Sequence, residues 1–312
     1  MQERHYLSNM TTHLWLYLAV IAYFLEAMVF VIDKFLLSTK INSPIAYAFY
    51  AAVISVVAVV LIPFGVTLPP LWNLTSALVS GLFFFLAMVY LYRSIHEIDV
   101  LEATPVISVV TAITTILLNL ILVKEFIDTQ SLVAFFFLVL GTLMMSYLHL
   151  NNKRVVKNML IAGFSFGVSF VTMKYFFNTT NFVDGLFWTR MGMVGSALVM
   201  LVSSGFRQQI STALHGATRR SQHAFIFNKL LSAVAFVTLY YSIKIGSVVF
   251  VNALQGFQYV FVLLISFIMI RRMPRLFEKH HDGIWRKVVA IVLIAIGFFL
   301  LSVDIRAVWP FS

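Results

Sequence analysis

Long apolar runs separated by short polar segments dominate this chain. Each run holds about 20 residues, the length that an α-helix needs to cross a lipid bilayer. The sequence is 61% hydrophobic and only 11% charged, which is too little charge to cover the surface of a soluble domain of 312 residues. The pattern therefore predicts an all-α polytopic membrane protein, with a polar loop at 205–222. Its ten transmembrane helices are expected at 13–37, 44–63, 75–93, 98–123, 130–149, 156–177, 183–204, 223–244, 246–270 and 287–305.

Two of the predicted helices carry a stripe of polar side chains on one face. In the fourth helix these residues recur every three or four positions, at Thr104, Ser108, Thr111, Thr115 and Asn119. The ninth helix has a similar stripe of Asn252, Gln255, Gln258 and Tyr259. A polar stripe in lipid faces either a neighbouring helix or a water-filled path. We expect the second alternative, so the predicted wall of a substrate-binding cavity comprises Thr111, Thr115, Asn119, Asn252, Gln255 and Gln258.

The two halves of the chain resemble each other. The sequence LYRSI at 91–95, ahead of the fourth predicted helix, returns as LYYSI at 239–243, ahead of the ninth. Single-residue matches occur in the same order on either side of this pair, Lys34 with Lys174 and Gly141 with Gly297. An odd number of crossings per repeat inverts the second copy, an arrangement found in many secondary transporters. We therefore predict two inverted five-helix repeats, residues 1–150 and 151–312.

Two charged side chains inside the apolar runs, Glu26 and Arg190, are candidate site residues, because a charge within the membrane is costly and usually faces protein or water. Arg190 lies near the start of the seventh predicted helix. Glu26 lies near the middle of the first predicted helix. We expect it to bind a coupling proton or a substrate amine, with a neutral acid that only joins helices as the alternative. Arg190 could bind an anionic group bidentately, or it could pair with Asp184 at the membrane interface.

Other charged residues lie closer to the ends of the predicted helices. Asp33 and Lys34 adjoin near the end of the first helix, and Lys229 lies in the eighth. All three are expected to reach toward the interface, with the lysines acting as anchors whose ammonium groups extend to water.

Basic residues are distributed unevenly between the two sides that ten crossings define. Of the 22 Lys and Arg residues, all but six fall on the side of the first loop; the six are Arg4, Lys124, Lys174, Arg190, Lys244 and Arg306. Because basic loops stay in the cytoplasm, this side is predicted to be cytoplasmic, with both termini outside an inner or plasma membrane. The net charge of +10 reflects this bias and indicates no nucleic acid partner.

The sequence contains one motif that suggests an enzyme. Residues 163–167 spell G-x-S-x-G, but the serine nucleophile of that motif needs a strand–turn–helix context, and this stretch lies inside a predicted membrane helix. Close helix packing through Gly163 and Gly167 is expected instead. The chain has no phosphate-binding loop, no metal-spaced cluster of ligands and no cysteine. We therefore predict no enzyme activity, no metal and no cofactor.

The run from Ala103 through Pro105 and an apolar helix to Glu125 resembles the fourth helix of the EamA-type transporters of the drug/metabolite transporter superfamily. The five-plus-five architecture, the short loops and the glycines of the fifth and tenth helices agree with this resemblance. It implies a ten-helix exporter or exchanger of small metabolites, with a cavity walled by both repeats and Pro105 as a hinge. The ninth helix has no matching proline, so no hinge is expected there. Family members are expected to have both termini inside, opposite to the charge bias.

These observations predict a secondary-active transporter that moves a small polar metabolite or amino-acid-like solute by alternating access, with proton coupling or exchange. The expected partners are a small-molecule substrate, the lipid bilayer and a coupling proton, and a homodimer is an open alternative. Two other functions stay open, a flippase for a lipid-linked polar group and a membrane scaffold without transport.

Overall fold

In a computed structural model of the chain, the structure describes residues 2–39, 43–146, 152–215, 219–269 and 284–302. Throughout these ranges the chain is helical with short connections and contains no strand, which confirms the predicted all-α class. A 3-10 segment, Ser55–Phe64, and a π turn, Asn119–Val123, extend two of the helices. The α-helices are α1 (Gln2–Thr39), α2 (Pro44–Ile54), α3 (Leu71–Glu97), α4 (Val100–Leu118), α5 (Thr129–Met145), α6 (Lys153–Thr179), α7 (Phe182–Met200), α8 (Ser204–His215), α9 (Arg219–Ile245), α10 (Val248–Ala253), α11 (Gly256–Met269) and α12 (Ile284–Ser302).

Most of these helices are suited to a membrane. Eight helical segments of the described chain are long and apolar enough to cross one, namely Leu14–Ser38, Pro44–Phe64, Leu71–Glu97, Val100–Val123, Lys153–Thr179, Ser221–Ile245, Val248–Ile268 and Trp285–Ser302. A further candidate, α7 with Ser204–Ala213 of α8, is bent by 105°, and α5 is a shorter apolar helix. A helix or a broken helix therefore lies at each of the ten predicted positions.

Polar caps define where several helices begin. Asp99 accepts a hydrogen bond from the backbone N–H of Leu101 at 2.8 Å, and Asn181 accepts one from Asp184 at 2.7 Å. Asn152 caps α6 in the same way. Because these side chains satisfy backbone donors that have no partner within the helix, they fix the first turn after each short connection.

The segment predicted as a loop at 205–222 is instead helical at Ser204–His215, so that prediction was wrong. Its composition suggested a loop because it is polar and basic, but Phe206 and Ile210 are one turn apart and form an apolar face. Ile210 is buried, and its carbonyl accepts a hydrogen bond from Tyr50 of α2 at 2.9 Å. Contact with α2 therefore stabilises an amphipathic helix at this position.

The ninth predicted helix is interrupted, contrary to expectation. α10 ends at Ala253 and α11 begins at Gly256, with a turn between them. The absence of proline suggested a continuous helix. However, Asn252 and Gly256 both have low helix propensity, and the intervening backbone is supported by 3-10-type bonds such as Gln255 N–H to Asn252 O at 3.2 Å. By contrast, α4 continues through Pro105.

The halves of the chain pack against each other through several helix pairs, and α4 on α6 is one of them. α3 lies between α6 and α7, α1 lies against α9 and α11, and α5 packs on α12. The last contact is reciprocal. A Cβ atom added to Gly141 of α5 would lie 2.9 Å from the carbonyl oxygen of Ala290 in α12. A Cβ atom added to Gly297 of α12 would likewise lie 2.9 Å from the carbonyl oxygen of Ala134 in α5. The two helices approach closely because each presents a glycine to the other's backbone.

Candidate functional site

A cavity lies at the centre of the bundle, where helices from both halves meet. Its volume is about 50 Å³, and we call it the inner cavity. The lining is mainly aromatic and aliphatic, and its only charged members among the described residues are Glu26 and Asp33. The lining residues are Tyr23, Glu26, Val29, Phe30, Asp33, Met88, Leu91, Tyr92, Thr104, Ile107, Phe166, Phe170, Ser232, Phe236, Leu239, Gln255, Gln258 and Tyr259.

Two polar side-chain atoms at this cavity, Glu26 Oε1 and Gln258 Nε2, have no hydrogen-bond partner in the described part of the chain. Glu26 is only 4% exposed, and no described group bonds to its Oε1. Gln258 is 1% exposed, and its Nε2 likewise has no partner among the described residues. Its Oε1 accepts a hydrogen bond from Gln255 at 3.3 Å. Buried polar groups are normally paired, so an unpaired acceptor and an unpaired donor facing one cavity favour a bound polar molecule.

Two tyrosines hold the helices around this cavity. Tyr23, one turn before Glu26 on α1, donates to the Val251 carbonyl of α10 at 2.8 Å. Tyr259 of α11 donates to the Thr104 carbonyl of α4 at 2.9 Å, and its hydroxyl also contacts Ser108. The break between α10 and α11 lies between these two contacts, and it leaves Gln255 and Gln258 at the cavity wall.

A buried ion pair closes one end of the inner cavity. Asp33 Oδ1 lies 2.7 Å from Lys229 Nζ and 2.6 Å from Asn228 Nδ2, and it also accepts a hydrogen bond from Tyr47. Tyr92 bonds to both members of the pair, at 3.3 Å from Asp33 Oδ2 and 3.0 Å from Lys229 Nζ. The expectation that Asp33 and Lys229 reach the interface was wrong, because each neutralises the other inside the protein. The signal in the sequence was the spacing, since Asp33 follows Glu26 by two helical turns on one face.

The polar stripe of α4 contributes mainly to helix packing in this conformation. Thr111 bonds to the Gly163 carbonyl of α6 at 3.2 Å, and Thr115 accepts a hydrogen bond from Asn252 at 3.1 Å. Asn119 bonds to the Glu125 carbonyl at 3.2 Å. Of the six stripe residues predicted to line a cavity, only Gln255 and Gln258 are at the wall of the inner cavity. The other four are buried but do not line it.

Arg190 lies in a box of aromatic rings. Its guanidinium carbon is 5.3 Å from the ring centroid of Phe84, 5.2 Å from that of Phe236 and 5.0 Å from that of Tyr240. The alternative of a pair with Asp184 was wrong, because Asp184 is occupied elsewhere. Its oxygens accept from the backbone N–H and the hydroxyl of Thr67, each at 2.6 Å.

Two lysines bind the carboxyl ends of helices. Lys34 donates to the carbonyls of Ile95 and Ile98 at 2.7 and 2.9 Å. Lys174 donates to Ile243 and Gly246 at 2.9 and 2.6 Å. Free carbonyls at a helix end attract a cation, which explains these contacts. An interfacial position for Lys34 stays a prediction. The recurrence of Lys34 as Lys174 was the sequence signal for a shared role.

A second ion pair, absent from the sequence predictions, involves Lys174. Its Nζ lies 3.3 Å from Glu125 Oε1, and Ser247 donates to Glu125 Oε2 at 2.7 Å. This contact joins the end of the fourth span to the start of α10. A lysine inside an apolar run gives no sign of which distant acid it meets, so sequence alone had no signal for it.

The G-x-S-x-G stretch has a packing role. A Cβ on Gly163 would lie 2.6 Å from the Ile107 carbonyl oxygen, and Gly167 lies against Thr114. Both glycines thus allow α6 to approach α4 closely, as expected. Within the described ranges, no group of three His, Asp or Glu side chains could hold a metal ion.

Comparison with known proteins supports a membrane transporter. Residues 13–147 match the EamA-like transporter family. No curated protein matches the sequence. A solved structure, titled only as a crystal structure of a protein, is 14% identical with a TM-score of 0.61 and covers 90% of this chain and 97% of its own. At that identity the likeness concerns the fold alone. The apolar helices and the family match together establish an integral membrane protein. The match confirms the resemblance predicted from the sequence, because residues 13–147 are similar to the EamA-type transporters of the drug/metabolite transporter superfamily.

Proposed function

We propose that the chain consists of two inverted five-helix repeats, residues 1–150 and 151–312, with ten membrane crossings in which α5 and the bent α7 each count as one. The lysine contacts support this proposal. Lys174 corresponds to Lys34 in the repeat. When the sequence LYRSI is aligned with LYYSI, Ile95 and Ile98 fall on Ile243 and Gly246. The first two accept hydrogen bonds from Lys34, and the second two accept them from Lys174. One contact thus recurs in both halves, and inversion would place its two copies on opposite sides of the membrane.

Long-range contacts also divide the helix ends into two groups, as ten crossings require. One group joins Thr67 to Asp184 and Glu125 to Lys174. The other includes the bond from Arg286 to the Ser146 carbonyl. With ten crossings, the members of each group lie on the same side, so the proposed topology and the contacts agree.

The activity we propose is secondary-active transport of a small polar metabolite or amino-acid-like solute that carries an amine. The observation that carries this proposal is the unpaired Glu26 carboxylate in a cavity walled by aromatic rings. A carboxylate and ring faces both attract an ammonium group, and Gln258 Nε2 offers a donor for a second polar group of the solute. Glu26 would bind the amine in one step and a coupling proton in another, which gives alternating access with proton coupling or exchange.

The remaining predicted site residues would act around this centre. Gln255 and Gln258 contact the solute, and the break beside them allows α10 and α11 to move separately. Pro105 would supply the corresponding flexibility in α4, since its missing N–H removes one helix bond. The remaining stripe residues would hold α4 against α6 and α10, and they are Thr111, Thr115, Asn119 and Asn252. Arg190 lies next to the inner cavity and is considered below.

The experiment is solute uptake into proteoliposomes driven by an imposed pH gradient. The solute is chosen as the amine or amino acid that most raises the unfolding temperature of the purified protein. We expect Glu26→Gln to abolish pH-driven uptake while the protein remains folded, because the amide can neither ionise nor pair with an ammonium. Glu97→Gln is the matched control, since Glu97 is an exposed acid at the end of α3. Undiminished uptake by Glu26→Gln would refute the proposed role of Glu26.

The alternatives give different outcomes in the same assay. A membrane scaffold would show no uptake of any solute, and Glu26→Gln would change only its stability. A flippase would leave soluble amines outside the vesicle and instead move a labelled lipid between leaflets.

A further inference from the structure

A second and larger cavity adjoins the inner one and opens sideways. Its volume is about 270 Å³, and we call it the outer cavity. It shares Met88, Ser232 and Phe236 with the inner cavity. Much of its wall is apolar and exposed at the side of the bundle, including Val57 and Val60 of the 3-10 segment and Leu230 of α9. These residues belong to two candidate membrane-spanning segments, Pro44–Phe64 and Ser221–Ile245, so the opening leads toward lipid acyl chains.

The outer cavity lies where the two halves of the molecule differ. In the first half, α3 packs tightly on α7, with Gly81 against the backbone of Gly192 and Met193. Under the repeat correspondence proposed above, the equivalent contact would join α9 to the second span. Within the described chain, no comparable contact joins α9 to the 3-10 segment Ser55–Phe64, and this segment buries no residue. The position equivalent to Gly81 is Lys229, which carries a long side chain where the first half has none.

The charge of the outer cavity is opposite to that of the inner one. Its charged lining residues are Arg190 and Lys229, and none of the described residues that line it is acidic. Lys229 is paired with Asp33, whereas Arg190 makes no salt bridge within the described ranges. The aromatic rings cover the faces of its guanidinium group, but its only described hydrogen-bond acceptor is the weak Sδ of Met193, at 3.7 Å. The N–H groups of Arg190 are therefore available to an anion.

We propose that the outer cavity binds a single-chain amphipathic carboxylate, such as a fatty acid, that enters from the bilayer. Its carboxylate forms charge-assisted hydrogen bonds with Arg190, and its chain lies along Val57, Val60 and Leu230 toward the lipid. An apolar groove that ends in an unpaired cation fits this class of ligand, because one molecule satisfies both parts. The site is distinct from the amine site at Glu26 and would exist whether or not that site transports a solute.

The test is equilibrium binding of radiolabelled laurate to the purified full-length protein in lipid nanodiscs. We expect saturable binding that unlabelled laurate displaces. Butyrate has the carboxylate without the long chain, and dodecyltrimethylammonium has the chain with the opposite charge. Neither should displace laurate at equal free concentration. Displacement by dodecyltrimethylammonium as effective as by laurate would overturn the assignment of Arg190 as the anion contact.

Variants separate the two parts of the site. Arg190→Leu should weaken laurate binding by roughly ten- to a hundredfold, as expected for loss of charge-assisted hydrogen bonds. Arg190→Lys should weaken it less. Ala233→Trp fills the outer cavity and should abolish binding, whereas Val234→Trp, on the exposed face of α9 outside the cavity lining, should not. If Arg190→Leu does not fold, the comparison of Ala233→Trp with Val234→Trp still shows whether laurate binds in the outer cavity. Equal affinity in those two variants, or no saturable binding to the wild type, would refute the proposal.

Discussion

Asp33 shows how one buried side chain links two helices of this protein. It is 1% exposed and meets Lys229, Asn228, Tyr47 and Tyr92, so its charge is balanced and its oxygens are hydrogen-bonded. A buried ion pair of this kind adds little net stability compared with an apolar pair, because both charges lose their hydration. Removing one partner, however, leaves an uncompensated charge. The pair therefore links α1 to α9 strongly only while both members are present.

We predict that Lys229→Met lowers the free energy of unfolding by about 3–5 kcal/mol, because Asp33 is left buried without its cation. Equilibrium unfolding in mixed micelles of increasing denaturing-detergent content measures the change. The double variant Asp33→Leu with Lys229→Met should recover most of this loss. If the double variant is as unstable as the single one, the cost arises from packing and not from the unpaired charge.

At the scale of whole helices, lysine side chains bind the ends of two helices, and glycines allow other helices to pack closely. Lys34 and Lys174 each bind the carbonyls at the end of another helix, α3 and α9 respectively. Glycines allow α3 to lie against α7, and α5 against α12, at backbone distance. Because a transporter must move some helices relative to others, these contacts identify the pairs that are held tightly in this conformation.

For the helix ends, we predict that Lys174→Met destabilises the protein by about 1.5–3 kcal/mol, the range for hydrogen bonds to charged groups. Both the carbonyls after α9 and the Glu125 carboxylate lose their donor. Lys157→Met is the matched control, because Lys157 is exposed on the same helix and should be replaceable without loss. Equal stability of the two variants would contradict the role of Lys174.

For the close contacts, we predict that replacing glycine by alanine changes the stability of the protein in opposite directions at Gly81 and Gly195. In Gly81→Ala, the new methyl group would overlap the backbone of Thr189 and Gly192, and we expect a loss of about 1–3 kcal/mol. In Gly195→Ala, no atom lies within 4 Å of the new methyl, and higher helix propensity should stabilise by up to about 1 kcal/mol. The midpoint of thermal unfolding gives the sign in both cases, and stabilisation by Gly81→Ala would exclude tight packing of α3 on α7.

At the scale of the whole molecule, the proposed ten crossings place both termini on one side. The side with most of the lysines and arginines should be cytoplasmic, because these residues resist translocation. The termini would then lie outside, opposite to the orientation expected of EamA-type transporters. The proposed inverted repeats would be compatible with either orientation of the fold, so loop charge decides between them.

We therefore predict that alkaline phosphatase fused after Ser312 is active, because the enzyme folds only outside the cytoplasm. A green fluorescent protein fused at the same residue should be dark, since it does not mature there. Moving basic residues to the opposite loops should reverse both signals. Bright fluorescence of the original fusion would refute the predicted orientation.

The sequence by itself determined the all-α membrane class of the protein and the positions of its long apolar helices. In lipid every backbone polar group must be paired within the segment, so an apolar run of sufficient length forms a helix wherever it lies. It also identified Glu26 as a buried acid. The internal repeat that it suggests stays a prediction. These are local properties that depend on composition and spacing along one helix.

Only the tertiary structure decided which side chains meet. The partners Asp33 and Lys229 lie 196 residues apart, and nothing in either helix specifies the other. Helical periodicity shows which residues share a face of one helix. Which helix packs against that face depends on the arrangement of the whole bundle. Thr111 and Gln258 therefore looked alike in sequence, although one contacts α6 and the other a cavity. The break at Gln255 and the outer cavity arise from the same long-range packing, which is why neither could be predicted from the sequence.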